Sequence, residues 1–430
     1  MRIVVSALLA LGGLAVAGDA AAHGELPAVS AIASRPGDPQ TLLARTTFGL
    51  LYSRDGGARW DWVCGEAVPY ANGWVPPVAL TPGGTALVGS FDGLGTSPDG
   101  CSWARAPALE NEYVFDLVVR GSSSFAVTST FTGADGGTSL YRSRLFRSDD
   151  DGRTFAPVGT PIDPTLLVDG LALAPSDPQR VYVTTITSAL AGRRAWVQTS
   201  KDGGSTWEAH EVALRDGERR LVPVAVDPLR ADRVYLRALG EKMGRVLVSD
   251  DGGATTRDVY VGRGELPAFA LADGGSTVFL GGAEDGVVAA ASADLVFAPR
   301  SSTPVSCLAA TPAALFACAR ESDAGFSIGR STDGGRTVVP ALRFAELRGP
   351  LACPPGSQTD VCAAEWPVIA ATLGVPLPPR DAGADAAGPA TDGELRGAGC
   401  SATTGPAVPS GALAGALALL GSVVARRRRR

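Results

Sequence analysis

Ser200-Lys201-Asp202-Gly203-Gly204-Ser205-Thr206-Trp207 is an octet that the chain repeats. Close copies stand at Ser53–Trp60, Ser148–Phe155, Ser249–Thr256 and Ser331–Val338, and a copy one residue shorter at Ser97–Trp103. Its chemistry predicts a tight turn between two strands. The Asp carboxylate accepts backbone N–H groups one to three residues on and folds the chain back. The Gly-Gly pair supplies positive φ at little cost. The closing Trp or Phe opens the next strand and packs on the neighbouring unit.

The octets start at 53, 97, 148, 200, 249 and 331, so the steps are 44, 51, 52, 49 and 82 residues. The last step is nearly two periods, and Ala290–Phe297 fits the gap as a decayed copy that keeps Ser292, Asp294 and Phe297. Counting it gives steps of 43 and 39 and seven units. Upstream of each octet a second layout recurs: an apolar run, a Pro/Asp turn and another apolar run. Gly170–Ala174, Pro175–Pro178 and Val181–Ile186 show it most plainly. Each unit therefore reads strand A, turn, strand B, loop, strand C, octet, strand D. Periods of roughly 40–50 residues built of strands indicate a β-propeller blade. The expected fold is all-β, a propeller of seven four-stranded blades.

The octet resembles the Asp-box, or BNR repeat, with pattern Ser-x-Asp-x-Gly-x-Thr-Trp. The resemblance implies that Asp55, Asp99, Asp150, Asp202, Asp251 and Asp333 are structural turn residues on the C–D turns, away from the central funnel.

The ends carry separate signals. Residues 1–22 read as a secretory signal: Arg2, an apolar core to Ala17, then Ala20-Ala21-Ala22. Cleavage there would leave His23 first, which could hold Cu(II) only with a second nearby His; His210 lies in another unit, so His23 reads as a cleavage flank. The propeller domain should span 23–375, with its last outer strand at Thr337–Leu347. A short helix should follow at Asp360–Leu373, with Asp360 as N-cap; an extra strand without an octet is the rival reading. Residues 376–399 are Pro, Ala, Gly and Asp, a flexible linker. Residues 400–430 open on Cys400, continue through apolar Val408–Ala425 and end in Arg426–Arg430. That order resembles the myxobacterial C-terminal sorting signals of MYXO-CTERM type, in which the Cys carries the anchor. A plain membrane anchor is the alternative. Both readings place the propeller outside the cytoplasm, held to the membrane by its C-terminal region; the resemblance implies the cell surface or outer membrane of a Gram-negative bacterium.

Net charge is −6, and five positive charges sit in the terminal arginines, so the stretch between the two end signals carries about −11. Such a surface repels nucleic acid. The seven cysteines form an odd set. In an exported chain the expected bridges are Cys64–Cys101, Cys307–Cys318 and Cys353–Cys362, leaving Cys400 for the anchor. With two histidines and no Cys-x-x-Cys, no metal site and no cofactor are expected. The Gly/Asp-rich loop 133–139 reads as a turn, its spacing being unlike a calcium loop.

Asp-boxes also occur in sialidases, which makes a glycoside hydrolase the enzyme alternative. The first strand, Val29–Pro36, does not match the sialidase Phe/Tyr-Arg-Ile/Leu-Pro opening, and no catalytic residue transfers by motif. Tyr52, Tyr141, Tyr182 and Tyr235 sit in strand patterns and read as packing residues. The best candidate binding surface lies between the first and third units: Trp62, Glu66, Tyr70, Trp74, Glu110 and Tyr113, with Asp92 and Glu112 nearby. Aromatics mixed with carboxylates suit a sugar or peptide. The expectation is a monomeric, non-catalytic binding or scaffold module whose partner is a surface glycan or protein. Assembly factor for an envelope complex is a third reading, by fold analogy alone.

Overall fold

The computed structural model describes residues 26–69, 76–189, 192–240 and 243–377. It is a β-propeller of seven four-stranded antiparallel sheets, each in the order A-B-C-D. Blade 1 shows the plan: strand A Val29–Arg35, B Asp38–Thr46, C Gly49–Ser53 and D Asp61–Val63. Blades 2 to 7 span 78–105, 114–158, 166–212, 218–261, 268–301 and 307–342. The A–B and C–D turns share one face of the ring. The D–A connections and B–C loops share the other, called here the connecting face.

Burial follows strand position. In blade 4, strand B (Val181–Thr187) is buried almost throughout, while strand D (Glu208–Val212) is mostly exposed. The apolar side chains of one blade pack on the next, so the cores lie between blades. Tyr182 and Val197 of blade 4 meet Leu236 of blade 5, and Phe146 of blade 3 meets Leu87 of blade 2. No blade covers its own faces, which is why one blade would not fold alone.

The octets form the C–D turns. In blade 4, Ser200 Oγ donates to Asp202 Oδ1 at 2.7 Å and accepts Gly204 N at 2.7 Å. Asp202 then accepts Thr206 N and Thr206 Oγ1 at 2.8 and 2.6 Å. The same contacts recur at Asp150 and Asp251. In the full copies the carboxylate reaches a residue four on, beyond the one to three expected, and also engages the N–H three on, as at Ser205; Asp99, in the short copy, bonds Cys101 N and Ser102 N. The second glycine of the pair has a role that turn chemistry does not reveal: it lies against a side chain of the preceding blade. Gly204 faces Leu145 and Gly253 faces Val197. The decayed copy also forms a C–D turn, between Gly286–Ala291 and Ala298–Ser301, with Asp294 accepting Val296 N.

Ring closure departs from expectation. The structure pairs Cys64 with Cys362 and Cys101 with Cys353, in place of Cys64–Cys101 and Cys353–Cys362; Cys307–Cys318 is as expected. The reason is the path of the chain after blade 7. Its last strand is only Val339–Leu342. The chain then crosses to blade 1, where Trp62 N donates to Gly349 O at 2.8 Å and Leu351 N to Trp62 O at 2.7 Å. Residues 348–351 thus run along the free outer edge of blade 1, in parallel. The segment continues to blade 2, where Trp103 N donates to Gln358 Oε1. It ends in the helix Val361–Leu373. Asp360 stands at the N-cap position, as expected, but it has helical φ/ψ and its side chain makes no cap hydrogen bond. The helix starts from a 3-10 turn, Gln358–Asp360. Among the described residues no helix is long and apolar enough to cross a membrane. The signal region 1–22, His23, Cys400 and the apolar run 408–425 lie outside the described residues.

Candidate functional site

The expected patch divides into two surroundings. Trp62 is 1% exposed; its Nε1 donates to Phe48 O at 2.8 Å and its ring lies 5.6 Å from that of Trp366. It is a packing residue of the closing seam, not a ligand contact. Glu66 faces Glu365 of the C-terminal helix. Burial first, then the hydrogen bond and charge of Glu66, push the Glu365 carboxyl up to about 7. Cys64 lies with these two carboxylates, but its sulfur is committed to Cys362. Tyr70 and Trp74 lie outside the described residues.

Glu110 follows the turn Pro107–Leu109 and is exposed. Tyr113 stands in a line of rings: Phe91 is 4.7 Å away on one side and Phe115 is 5.1 Å away on the other. Phe91 is exposed in the B–C loop of blade 2, so the line runs from the connecting face inward. Asp92 pairs with Arg105 at 3.0 Å. Glu112 is buried and holds Arg142 at 3.0 Å and Arg144 at 2.8 Å. Both arginines belong to the long hairpin of blade 3, Ser123–Asp135 with Thr138–Ser148. Loop 133–139 is its tip, turned by Gly136 and Gly137 at positive φ. Phe131 and Tyr141 pack there at 5.9 Å. Tyr52, Tyr182 and Tyr235 are buried, in keeping with packing roles.

Tyr113 and Phe115 open on a cavity of about 410 Å³ formed by the innermost strands of blades 1 to 5. Its wall carries Arg45, Asp116, Asp169 and Arg220. Sequence reading missed these four. The available signal was a carboxylate inside an otherwise apolar strand A: Phe115-Asp116-Leu117 and Val168-Asp169-Gly170.

Strand A is the inner edge of each sheet, so its outward N–H groups need partners. Asp116 of blade 3 accepts its neighbour Leu117 N at 2.8 Å and Leu171 N of blade 4 at 2.9 Å. Asp169 of blade 4 accepts Leu221 N of blade 5 at 2.7 Å and Arg220 Nε at 2.7 Å. Each carboxylate clamps the next blade. Burial pushes the Asp116 carboxyl up to about 6 and raises Asp169 too, although Arg220 opposes the latter. Arg45 donates to Ser30 Oγ at 2.9 Å and Pro76 O at 2.5 Å.

Fold and site together define a seven-bladed β-propeller with a polar, aromatic-walled funnel. No protein-family model and no curated protein sequence matches the chain. Solved propellers resemble it distantly. A GH74 enzyme from Niastella koreensis is 14% identical with TM-score 0.33, over 72% of this chain and 62% of that one. The GH74 xyloglucanase of Xanthomonas campestris is 18% identical with TM-score 0.34, over 74% and 55%. Kuenenia stuttgartiensis hydrazine synthase is 10% identical with TM-score 0.47, over 72% and 97%. The chain thus spans less than two thirds of the two GH74 proteins.

Proposed function

We propose that the chain is an exported propeller, tethered at the outer surface by its C-terminal region, that acts by recognition rather than catalysis. The observation that carries this reading is the double duty of the funnel carboxylates. Asp116 and Asp169 each accept a backbone N–H from the next blade, so moving either would loosen the ring. A catalytic acid needs freedom to exchange its proton with substrate; these groups are tied into the scaffold. The line Phe91–Tyr113–Phe115 leads from the exposed rim to the same funnel and gives a ligand apolar contact. Three disulfides support an oxidising compartment.

A glycoside hydrolase is the second reading. Asp116, with a carboxyl raised to about 6, shares its cavity with a second carboxylate. Such a pair is the equipment of glycoside hydrolysis. The test is to screen the secreted protein against glycan and surface-protein arrays, beside fluorogenic glycosides including a sialoside. Binding without turnover supports recognition. Turnover that disappears in Asp116→Asn replaces it with the hydrolase reading.

A further inference from the structure

We infer that the funnel takes the end of an uncharged saccharide, and this rests on the recognition reading above. The cavity wall brings two guanidinium groups, Arg45 and Arg220, together with two carboxyl groups, Asp116 and Asp169. An anionic ligand would meet the carboxylates, and a cationic one the guanidiniums. A hydroxyl is served by both, because it donates to a carboxylate and accepts from a guanidinium. A wall of paired opposite charges therefore favours a neutral polyol.

Donor and acceptor capacity remains for such a ligand. Leu117 N and Leu171 N each occupy one oxygen of Asp116, and each oxygen can accept a second bond. Arg220 directs Nε and one terminal nitrogen to Asp169, out of five N–H donors on the guanidinium. Its side chain is 48% exposed, so it reaches the cavity. Tyr113 and Phe115 supply an aromatic wall for the C–H faces of a sugar ring. The volume of about 410 Å³ suits a chain end rather than a long polymer segment.

The test is calorimetric titration of the full secreted chain. The probes are neutral gluco-, xylo-, manno- and galacto-oligosaccharides, beside sialylated and uronate-containing ones. At least one neutral series should bind, and Tyr113→Ala and Arg220→Ala should each weaken it about tenfold or more. Arg220→Ala also leaves Asp169 short of a partner, so Val222→Phe is a second variant: it fills the cavity and removes no hydrogen bond. It should abolish binding, while Phe131→Ala, on the blade 3 hairpin, should leave binding unchanged. Binding of acidic glycans only, or no glycan binding, overturns the inference and leaves recognition of a protein open. Neutral-glycan binding untouched by Tyr113→Ala, Arg220→Ala and Val222→Phe also overturns it. Turnover of a bound oligosaccharide overturns the recognition reading instead.

Discussion

Gly57 of blade 1 lies against the ring of Phe316 in blade 7, so close that an added Cβ would meet Phe316 Cε1 at 2.8 Å. Its φ is +86°. The same relation links Gly152 to Leu87 at 2.8 Å and Gly335 to Val287 at 3.1 Å. The octets therefore bind blade to blade as well as strand to strand. Gly57→Ala should destabilise the protein by about 2 kcal/mol, from the left-handed backbone plus the contact. Gly37 is the control: its φ is +80°, but nothing lies within 4 Å of its would-be Cβ. Gly37→Ala should cost about 1 kcal/mol. Equal losses in urea unfolding would show that Gly57 is merely a turn residue.

The carboxylates of Asp150, Asp202 and Asp333 are held down to about 2, from an ordinary 3.8. For Asp202 the largest cause is the Thr206 hydroxyl, followed by Thr206 N. A depressed carboxyl contributes stability that is complete above its unfolded value and lost as pH falls through the folded one. Thermal unfolding followed from pH 5 down to 2 should therefore show a steepening loss below about 4. Asp202→Asn should flatten that acid limb.

Glu365 runs the other way, being raised from 4.5 to about 7 beside Glu66. Its contribution is present below its unfolded value and is lost as pH rises through about 7. The elements against this helix carry few other charges: Glu346, which bonds Arg343, and Asp360, which bonds Gly356 N. Hydrogen exchange in Val361–Leu373 should quicken between pH 5 and 8, beyond the intrinsic chemical rate. Glu66→Gln should remove most of that pH dependence. An unchanged profile in the variant would rule out the carboxyl pair as its source.

Cys362→Ser should lower stability by about 2–5 kcal/mol, the ordinary loss for a native bridge. Non-reducing peptide mapping of the native protein should recover Cys64 with Cys362 and Cys101 with Cys353. A Cys64–Cys101 peptide would contradict the closing seam.

Asp169→Ala should be among the most damaging single changes in the funnel. It strands the buried Leu221 N and takes the carboxylate from the half-exposed Arg220, which keeps its contact to the Asp169 backbone oxygen, at about 1–3 kcal/mol. Guanidinium unfolding measures it. A loss below about 1 kcal/mol would mean that the clamp between blades 4 and 5 is dispensable.

What could be read from the sequence is what local chemistry controls. Ser200, Asp202 and Gly204 make their own turn, so the octets, the period and the blade count were legible, including the worn copy at Ser292. Cysteine partners were not, apart from Cys307–Cys318, whose strands are neighbours in one sheet. Cys64 and Cys362 are 298 residues apart, and their pairing depends on where the closing segment docks. Trp62 looked like a ligand-facing aromatic because Glu66 and other aromatics stand close to it in sequence, but the segment 348–351 and Trp366 cover it. Of the expected patch, Tyr113 does line the funnel. Asp116 and Asp169 were hidden by the apolar strands that hold them.

The seam at blade 1 also sets a load path. Any pull arriving at Leu377 reaches the Cys64–Cys362 and Cys101–Cys353 bridges before it can peel Val339–Leu342 from blade 7. Tension is delivered to blades 1 and 2 through covalent bonds, and the final blade is shielded from unzipping. Force applied at Leu377 therefore loads the two bridges first and the short last strand of blade 7 only afterwards.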